Sequence, residues 1–591
     1  MDNELKVNDV TWDLSPLYRG LDDPAIEEDI EGLKAAVASF SADYRGKIDT
    51  ISPAELHRLV ERLETIGQGA AKLGTFAYLN YATQTGNAAA GAFLQQVQEL
   101  GSQLEEDILF FRLDWARQSD EKAEKLLESS DVAKYRHYLA LARRYKPHQL
   151  SEVEERLLAD VSPVGAGSWH RLFGTILAQM KFGEKERSEE EVLADLYSPD
   201  REVRKNAAED LTEGLKGHLH ILTHIFNTIL ADHMISDRLR SYPAWISARN
   251  LDNEADDSSV AALVSAVEER HDIPQRYYAL KKKILGHDEL FDYDRYAPLP
   301  FAPGKAYRWE ECQQIVLSSF GRFSPDMEQI GALFFDGKWI HAPVTAGKVG
   351  GAFAHPATPD VHPFLLVNYT GNERDIQTVA HELGHGIHQH LAGSRQGFLN
   401  SSTPLTTAET ASVFGEMLVF YALLDAAAGK EEKLSLLCNK IESILATVFR
   451  QVSMNRFEEL IHGARREKGE LSPDLFSQLW IETQEKMFGD SLTLTDNYRC
   501  WWSYIPHFIH SPGYVYAYAF GELLVLALYK RYRDEGASFV DKYLTLLSSG
   551  GKESPTHLLK AFGIDLNDPL FWREGLATTN EMVAEAEGLV G

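Results

Sequence analysis

Apolar residues recur at spacings of three and four along most of this chain, and that period predicts a mostly helical protein. Asp23-Pro24 opens a run whose Ile26, Ile30, Leu33 and Val37 fall on one face. Ser52-Pro53-Ala54-Glu55 reads as a capping box with proline in the first turn, followed by Leu56, Leu59, Val60 and Leu63. Ser151-Glu152-Val153-Glu154 repeats the device, and Ser198-Pro199 marks another helix start. The period fails between about Tyr293 and Tyr369, where glycine, proline and short apolar runs replace it. Phe364–Tyr369 is the clearest strand there, and Trp339–Val344 is a second. The edge of such a small sheet can hold an extended peptide by backbone hydrogen bonds, or serve structure alone.

The helical period returns over Arg374–Leu391, with Ile376, Val379, Leu383 and Ile387 as its apolar stripe and Asn372 with Asp375 as a start signal. Inside it lies His381-Glu382-Leu383-Gly384-His385. Residues four apart on a helix share a face, so both imidazoles can reach one ion, and Glu382 is placed to polarise a water there. That is the arrangement of a zinc metallopeptidase, which takes three protein ligands and leaves one position open. His388 shares the face, but its Cα lies about 10 Å along the axis from that of His381, too far for one tetrahedral centre. The longer HExxHxxGxxH pattern would need histidine where Leu391 stands, so His388 reads as a packing or supporting residue.

Glu409 is the better third ligand. It falls early in a second predicted helix, seven residues before Glu416, so one carboxylate can ligate while the other holds a ligating imidazole. Thr406 and Glu409 equally fit a capping box, and the residues alone leave both readings open. A second histidine group, His218, His220 and His224, has Ile221 where the motif would place its glutamate; it reads as a helix-surface cluster, and His233 beside Asp232 is read with the same caution.

Composition adds mainly exclusions. The 591 residues are 44% hydrophobic and 25% charged, an ordinary globular balance. A formal charge of −29 argues against a nucleic-acid partner; it serves solubility, or a field that draws basic peptides. Cys312, Cys438 and Cys500 are far apart and form no CxxC pair, as a reducing compartment allows. Met1-Asp2-Asn3-Glu4 lacks the basic and apolar regions of a signal peptide, and the apolar stretch Leu523–Leu528 is too short to span a bilayer. The expectation is a soluble cytoplasmic protein with no membrane partner.

Several segments resemble the oligoendopeptidase F branch of the thimet oligopeptidase-like zinc metallopeptidases. They are Trp12-Asp13-Leu14-Ser15-Pro16-Leu17-Tyr18, Pro147–Glu155, Tyr293–Leu299, and Leu366-Val367-Asn368-Tyr369 leading into His381–His388. The resemblance implies a two-lobed helical body with a deep substrate channel and a small sheet beside the HExxH helix. Residues 1–200 would form an N-terminal helical region covering the channel and residues 201–591 the catalytic domain. It implies one zinc ion per chain held by His381, His385 and Glu409, with Glu416 in support and Glu382 as general base. A C-terminal histidine and tyrosines would stabilise the tetrahedral intermediate. His507, Tyr514 and Tyr518 are the favoured set, with His510 a second candidate, because this region has about one extra residue between His507 and the tyrosines. Val349 stands where the branch commonly has a basic residue, which bears on substrate contacts rather than chemistry. The expected activity is hydrolysis of internal bonds in short unfolded peptides. The alternatives are an exopeptidase with the same centre and a non-catalytic peptide-binding module.

Overall fold

Capping side chains set where the long helices begin. The computed structural model describes residues 5–301 and 305–591. Helix α1 (Pro24–Tyr44) starts at Asp23, whose carboxylate accepts from the Ala25 N–H at 3.0 Å. Helix α2 (Pro53–Ala82) starts with the reciprocal Ser52–Glu55 capping box and buries Leu56, Leu59, Val60 and Leu63. The box at Ser151 also forms. Ser198 does not start a helix: α3 (Arg201–Arg240) is capped by Asp200, which accepts from the Glu202 N–H at 2.9 Å. Ser198 instead accepts from the Asp200 N–H at 3.2 Å, so the nearer carboxylate has displaced the hydroxyl as cap.

The chain folds into two compact units, each assembled from three separated stretches. The first comprises Met1–Lys146, Gly304–Ala426 and Arg531–Ile564, and the second Pro147–Pro303, Ala427–Lys530 and Asp565–Gly591. The core of the first gathers Val37, Phe40, Leu59, Phe76 and Trp115 and continues to Phe364. That of the second is aromatic, with Phe226, Phe457, Trp480, Trp502 and Phe508 among its members.

The first unit contains a three-stranded sheet, β1 (Ile340–His341), β2 (Phe353–His355) and β3 (Phe364–Leu366), in the order β1-β3-β2. Strand β1 is parallel to β3, with Ile340 opposite Leu365, and β2 is antiparallel, with Ala354 opposite Leu365. The central β3 is buried throughout, which explains its unbroken apolar run. The strands are shorter than the runs that predict them. Val367 and Tyr369 nevertheless still donate to the carbonyls of His341 and Ala342, both at 3.0 Å. Beside β1, the Ala342 N–H donates to the Val10 carbonyl at 2.9 Å, which leaves β2 as the opposite outer strand.

Helix α4 (Glu373–Gln396) follows the sheet, opened by the Asn372–Asp375 capping box, and its Ile376, Val379, Leu383 and Ile387 are buried. Helix α5 (Ser412–Ala426) packs across it at two glycines. A Cβ on Gly384 would stand 2.4 Å from the Ala411 carbonyl oxygen and 2.7 Å from Ser412 Cα, and one on Gly415 would stand 2.9 Å from the Ala380 oxygen. Only glycine allows the two backbones to meet this closely. The stretch Thr406–Ala426 is long and apolar enough to cross a membrane, yet 67% of its apolar window is buried inside the protein, as in a core helix. The second unit contributes α6 (Arg450–Lys468), the short α7 (His507–His510) and most of α8 (Tyr516–Glu535), as far as Lys530, with Leu523–Leu528 all buried.

Candidate active site

On α4, His381 and His385 stand one turn apart with ring centroids separated by 4.8 Å and planes at 81°. Glu409 Oε2 lies 3.4 Å from His381 Nε2 and 3.4 Å from His385 Nε2. One ligand atom from each of the three lies within 4.8 Å of the others, and among the described residues no other group of histidine, cysteine and acid side chains converges this way. Three donors at one point, two imidazoles and a carboxylate, fit a divalent metal with an open position.

Glu409 reaches this point differently from the expectation. It is not on a helix shared with Glu416. Leu405–Ala408 form a single turn with Pro404 at its N-cap, the chain turns at 409–411, and α5 begins at Ser412. Thr406 therefore lies inside that turn and is not its cap. The turn frees the Glu409 carboxylate to lean toward α4. Ser412 Oγ, at 2.7 Å from Oε2, fixes its direction.

Glu416 supplies the support: its Oε1 accepts from His381 Nδ1 at 2.6 Å, leaving Nε2 to face Glu409 and His385. Burial lowers the pKa of His381, but Glu416, Glu409 and Glu382 together raise it to about 9. On Glu409 burial works upward instead, and the two imidazoles with Ser412 outweigh it, holding that carboxyl down to about 2. Replacing Glu416 by glutamine is expected to weaken metal binding about 10–100-fold with the fold intact, a change readable by competition with a chromogenic chelator.

Glu382 is only 6% exposed, and burial raises its pKa against the pull of both histidines. It stands outside the converging group of three while adjoining His381 in the chain. His388 is buried beyond His385, and burial lowers its pKa to about 4. The His218, His220 and His224 group does not converge: His218 Nδ1 is 3.1 Å from the Gly214 carbonyl, and His224 packs edge-on to Trp169. His233 Nε2 is 2.7 Å from the Trp245 carbonyl.

In the second unit, His507, Tyr514 and Tyr518 form a cluster of their own. His507 Nε2 is 3.3 Å from the Tyr518 hydroxyl, and the Tyr514 and Tyr518 rings meet edge to face at 5.1 Å. Tyr514 precedes α8 rather than sharing its face, but the Ala517 N–H bonds to the Tyr514 carbonyl at 2.9 Å and keeps it in register. His510 is exposed and packs against His170 and Phe173. Tyr516 is buried and accepts from Asn253 Nδ2 at 3.0 Å. Burial, Arg450 and His510 all lower the pKa of His507, which favours its neutral form.

Sequence reasoning missed one residue here. Glu458 on α6 is buried, and its Oε1 accepts from the Gly513 N–H at 2.8 Å, pinning the turn that presents Tyr514. Burial pushes its pKa up to about 8. The sequence offered little signal for it, because the buried face of α6 mixes Met454, Phe457 and Ile461 with the polar Asn455 and His462.

Two imidazoles and a carboxylate on crossing elements, with a glutamate beside the first imidazole, define a metallopeptidase-type centre. Comparison with known proteins makes this specific. Residues 331–578 match the profile of Peptidase family M3 and residues 115–182 that of Oligopeptidase F. The chain is 28% identical over 584 residues to Oligopeptidase PepF of Bacillus subtilis, covering 96% of this chain and 85% of that protein. It is 25% identical over 593 residues to Group B oligopeptidase PepB of Streptococcus agalactiae, covering 98% and 97%. The fold matches that of oligoendopeptidase-F from Enterococcus faecium with a TM-score of 0.71 at 21% identity, over 95% of this chain and 98% of that one. A solved structure from Chlamydophila abortus gives a TM-score of 0.87 at 24% identity, over 98% of both chains. The chain is a metallopeptidase, with a Peptidase family M3 region over residues 331–578 and a likeness along nearly its whole length to oligopeptidases of the oligoendopeptidase F type.

Proposed function

We propose that this enzyme is a zinc-dependent endopeptidase acting on internal bonds of short, unfolded peptides. The observation that carries the proposal is the convergence of His381, His385 and Glu409 beside Glu382. One zinc ion fits that donor set, since two imidazoles and a carboxylate are a common catalytic combination for it. When bound, zinc supplies a Lewis acid that acidifies water and polarises the scissile carbonyl.

The remaining work falls to this chain's side chains. Glu382 accepts the proton of the attacking water and returns it to the leaving amine. The family resemblance assigns His507, Tyr514 and Tyr518 the role of donating to the oxygen that gains negative charge. On that assignment, Glu458 holds Tyr514 in position through Gly513. Tyr514→Phe is then expected to lower kcat about 10²–10³-fold with KM little changed, measured by steady-state cleavage of one peptide. The reaction is placed in the cytoplasm, where the buried, unpaired thiols of Cys312, Cys438 and Cys500 stay reduced.

The deciding experiment is cleavage of a short end-blocked, internally quenched peptide by zinc-loaded protein, with products identified by mass. Internal cuts that stop with a chelator and resume with added zinc support the proposal. Attack on free-ended peptides only would make the enzyme an exopeptidase, and binding without turnover would leave a peptide-binding module.

A further inference from the structure

Beside His385 the first unit opens into a cavity of about 270 Å³. Its walls come from the segment 356–363 after β2, the C-terminal half of α4, and the turns at 401–408 that lead to Glu409. The cavity meets the metal site at His385, which lines it directly, and Ala408, which precedes Glu409 in the chain, lines it as well. Sites that enclose a small molecule measure roughly 300–1,000 Å³, so this one has room for a side chain rather than a stretch of peptide.

The lining is unusual for so charged a protein. Pro356, Pro359, Val361 and Phe398 supply apolar walls, and the polar positions include Thr358 and Gln389. Among the described residues that line it, none is Asp, Glu, Lys or Arg, although 25% of the chain is charged. Burial lowers the pKa of His362 and His390, which also line it, so both imidazoles are neutral at neutral pH. Thr358 Oγ1 and Gln389 Oε1 are buried without a hydrogen-bond partner. The other end of the Gln389 amide is held, Nε2 donating to the Ala354 carbonyl of β2 at 3.3 Å.

We propose that this cavity receives the side chain of a substrate residue flanking the scissile bond, and that it selects a large neutral side chain, aromatic or amide-bearing, over a charged one. The inference rests on the endopeptidase reading above. A charged group entering the cavity would lose its water and meet no counter-charge. A ring would pack on the prolines and Phe398, and an amide or phenol would meet the open hydrogen-bonding capacity of Gln389 and Thr358.

The test uses zinc-loaded full-length protein and pairs of isomeric end-blocked peptides. In each pair one lysine, or one glutamate, either flanks the bond that is cut or sits at the far end. Length and net charge are then identical, and the long-range field of the acidic protein acts equally on both. Expected is a kcat/KM at least about tenfold lower when the charge flanks the bond, on one side of it as read from product masses. Gln389→Glu is expected to recover the flanking-lysine peptide about tenfold and to leave the flanking-glutamate peptide poor. Thr358→Asp serves as a second variant that introduces the same charge from the segment 356–363. Equal rates for the isomers with wild type would overturn the inference. So would an unchanged isomer ratio in a variant that still cuts the neutral parent peptide. Failure of wild type to cut any blocked peptide would instead remove the endopeptidase reading, and this inference with it.

Discussion

Replacing Glu382 by glutamine is expected to lower kcat about 10³–10⁴-fold while leaving metal content unchanged. The amide matches the carboxylate in size, so the buried site neither empties nor overfills. It cannot accept a proton, which is the role assigned to Glu382. Nor does Glu382 belong to the group of three that converges on one point. The melting temperature is therefore expected not to fall, because the substitution exchanges a buried ionisable group for a neutral one. Parallel assays of peptide cleavage and zinc content decide the matter. A variant with full zinc and near wild-type turnover would remove Glu382 as the base, and a variant without zinc would mean that Glu382 supports the centre itself.

Glu409→Ala is expected to abolish turnover by a different route, through loss of the metal. Two imidazoles would remain, and the loss of affinity should go well beyond the roughly 10–100-fold that follows from altering a supporting residue such as Glu416. The carboxylate of Glu409 is 37% exposed and meets His381, His385 and Ser412 at the edge of the site, so its removal is not expected to open a core cavity. The prediction is a protein with unchanged helical circular dichroism that fails to retain zinc on gel filtration. Stoichiometric zinc in this variant would show that another group supplies the third ligand. The two substitutions are thus expected to separate proton transfer from metal retention, Glu382→Gln keeping zinc and losing turnover and Glu409→Ala losing both.

The readability of the fold varied with how local its causes are. The capping boxes at Ser52, Ser151 and Asn372 formed as read, because each involves a side chain and a backbone N–H three residues apart. Ser198 failed for an equally local reason, since Asp200 offers a competing acceptor two residues later. The apolar runs around Ile340 and Phe364 marked the strands but overstated their length. How far a strand extends depends on what its partner offers, and β1 has only two residues.

Within the candidate site the same division holds. His381, Glu382 and His385 were legible from sequence alone because a single helix fixes their relations. The stripe of Ile376, Val379, Leu383 and Ile387 likewise showed which side of that helix would be buried. Glu409 was not legible in this way. Its approach depends on a turn at 409–411 that no periodicity announces, and on the close crossing of two helices. Gly384 and Gly415 look in sequence like weak helix residues. In the fold each occupies a point where a side chain would collide with the opposing backbone.

The sequence by itself therefore determined the helical class, the helix starts marked by the capping boxes at Ser52, Ser151 and Asn372, and the spacing of two imidazoles with their neighbouring glutamate, because these follow from contacts within a few residues. Only the tertiary structure decided that Glu409 meets both histidines, that Glu416 orients His381, that Glu458 holds the turn before Tyr514, and that an uncharged cavity lies beside His385. Each of these joins residues far apart in the chain, and their meeting depends on how helices pack, which local patterns leave open.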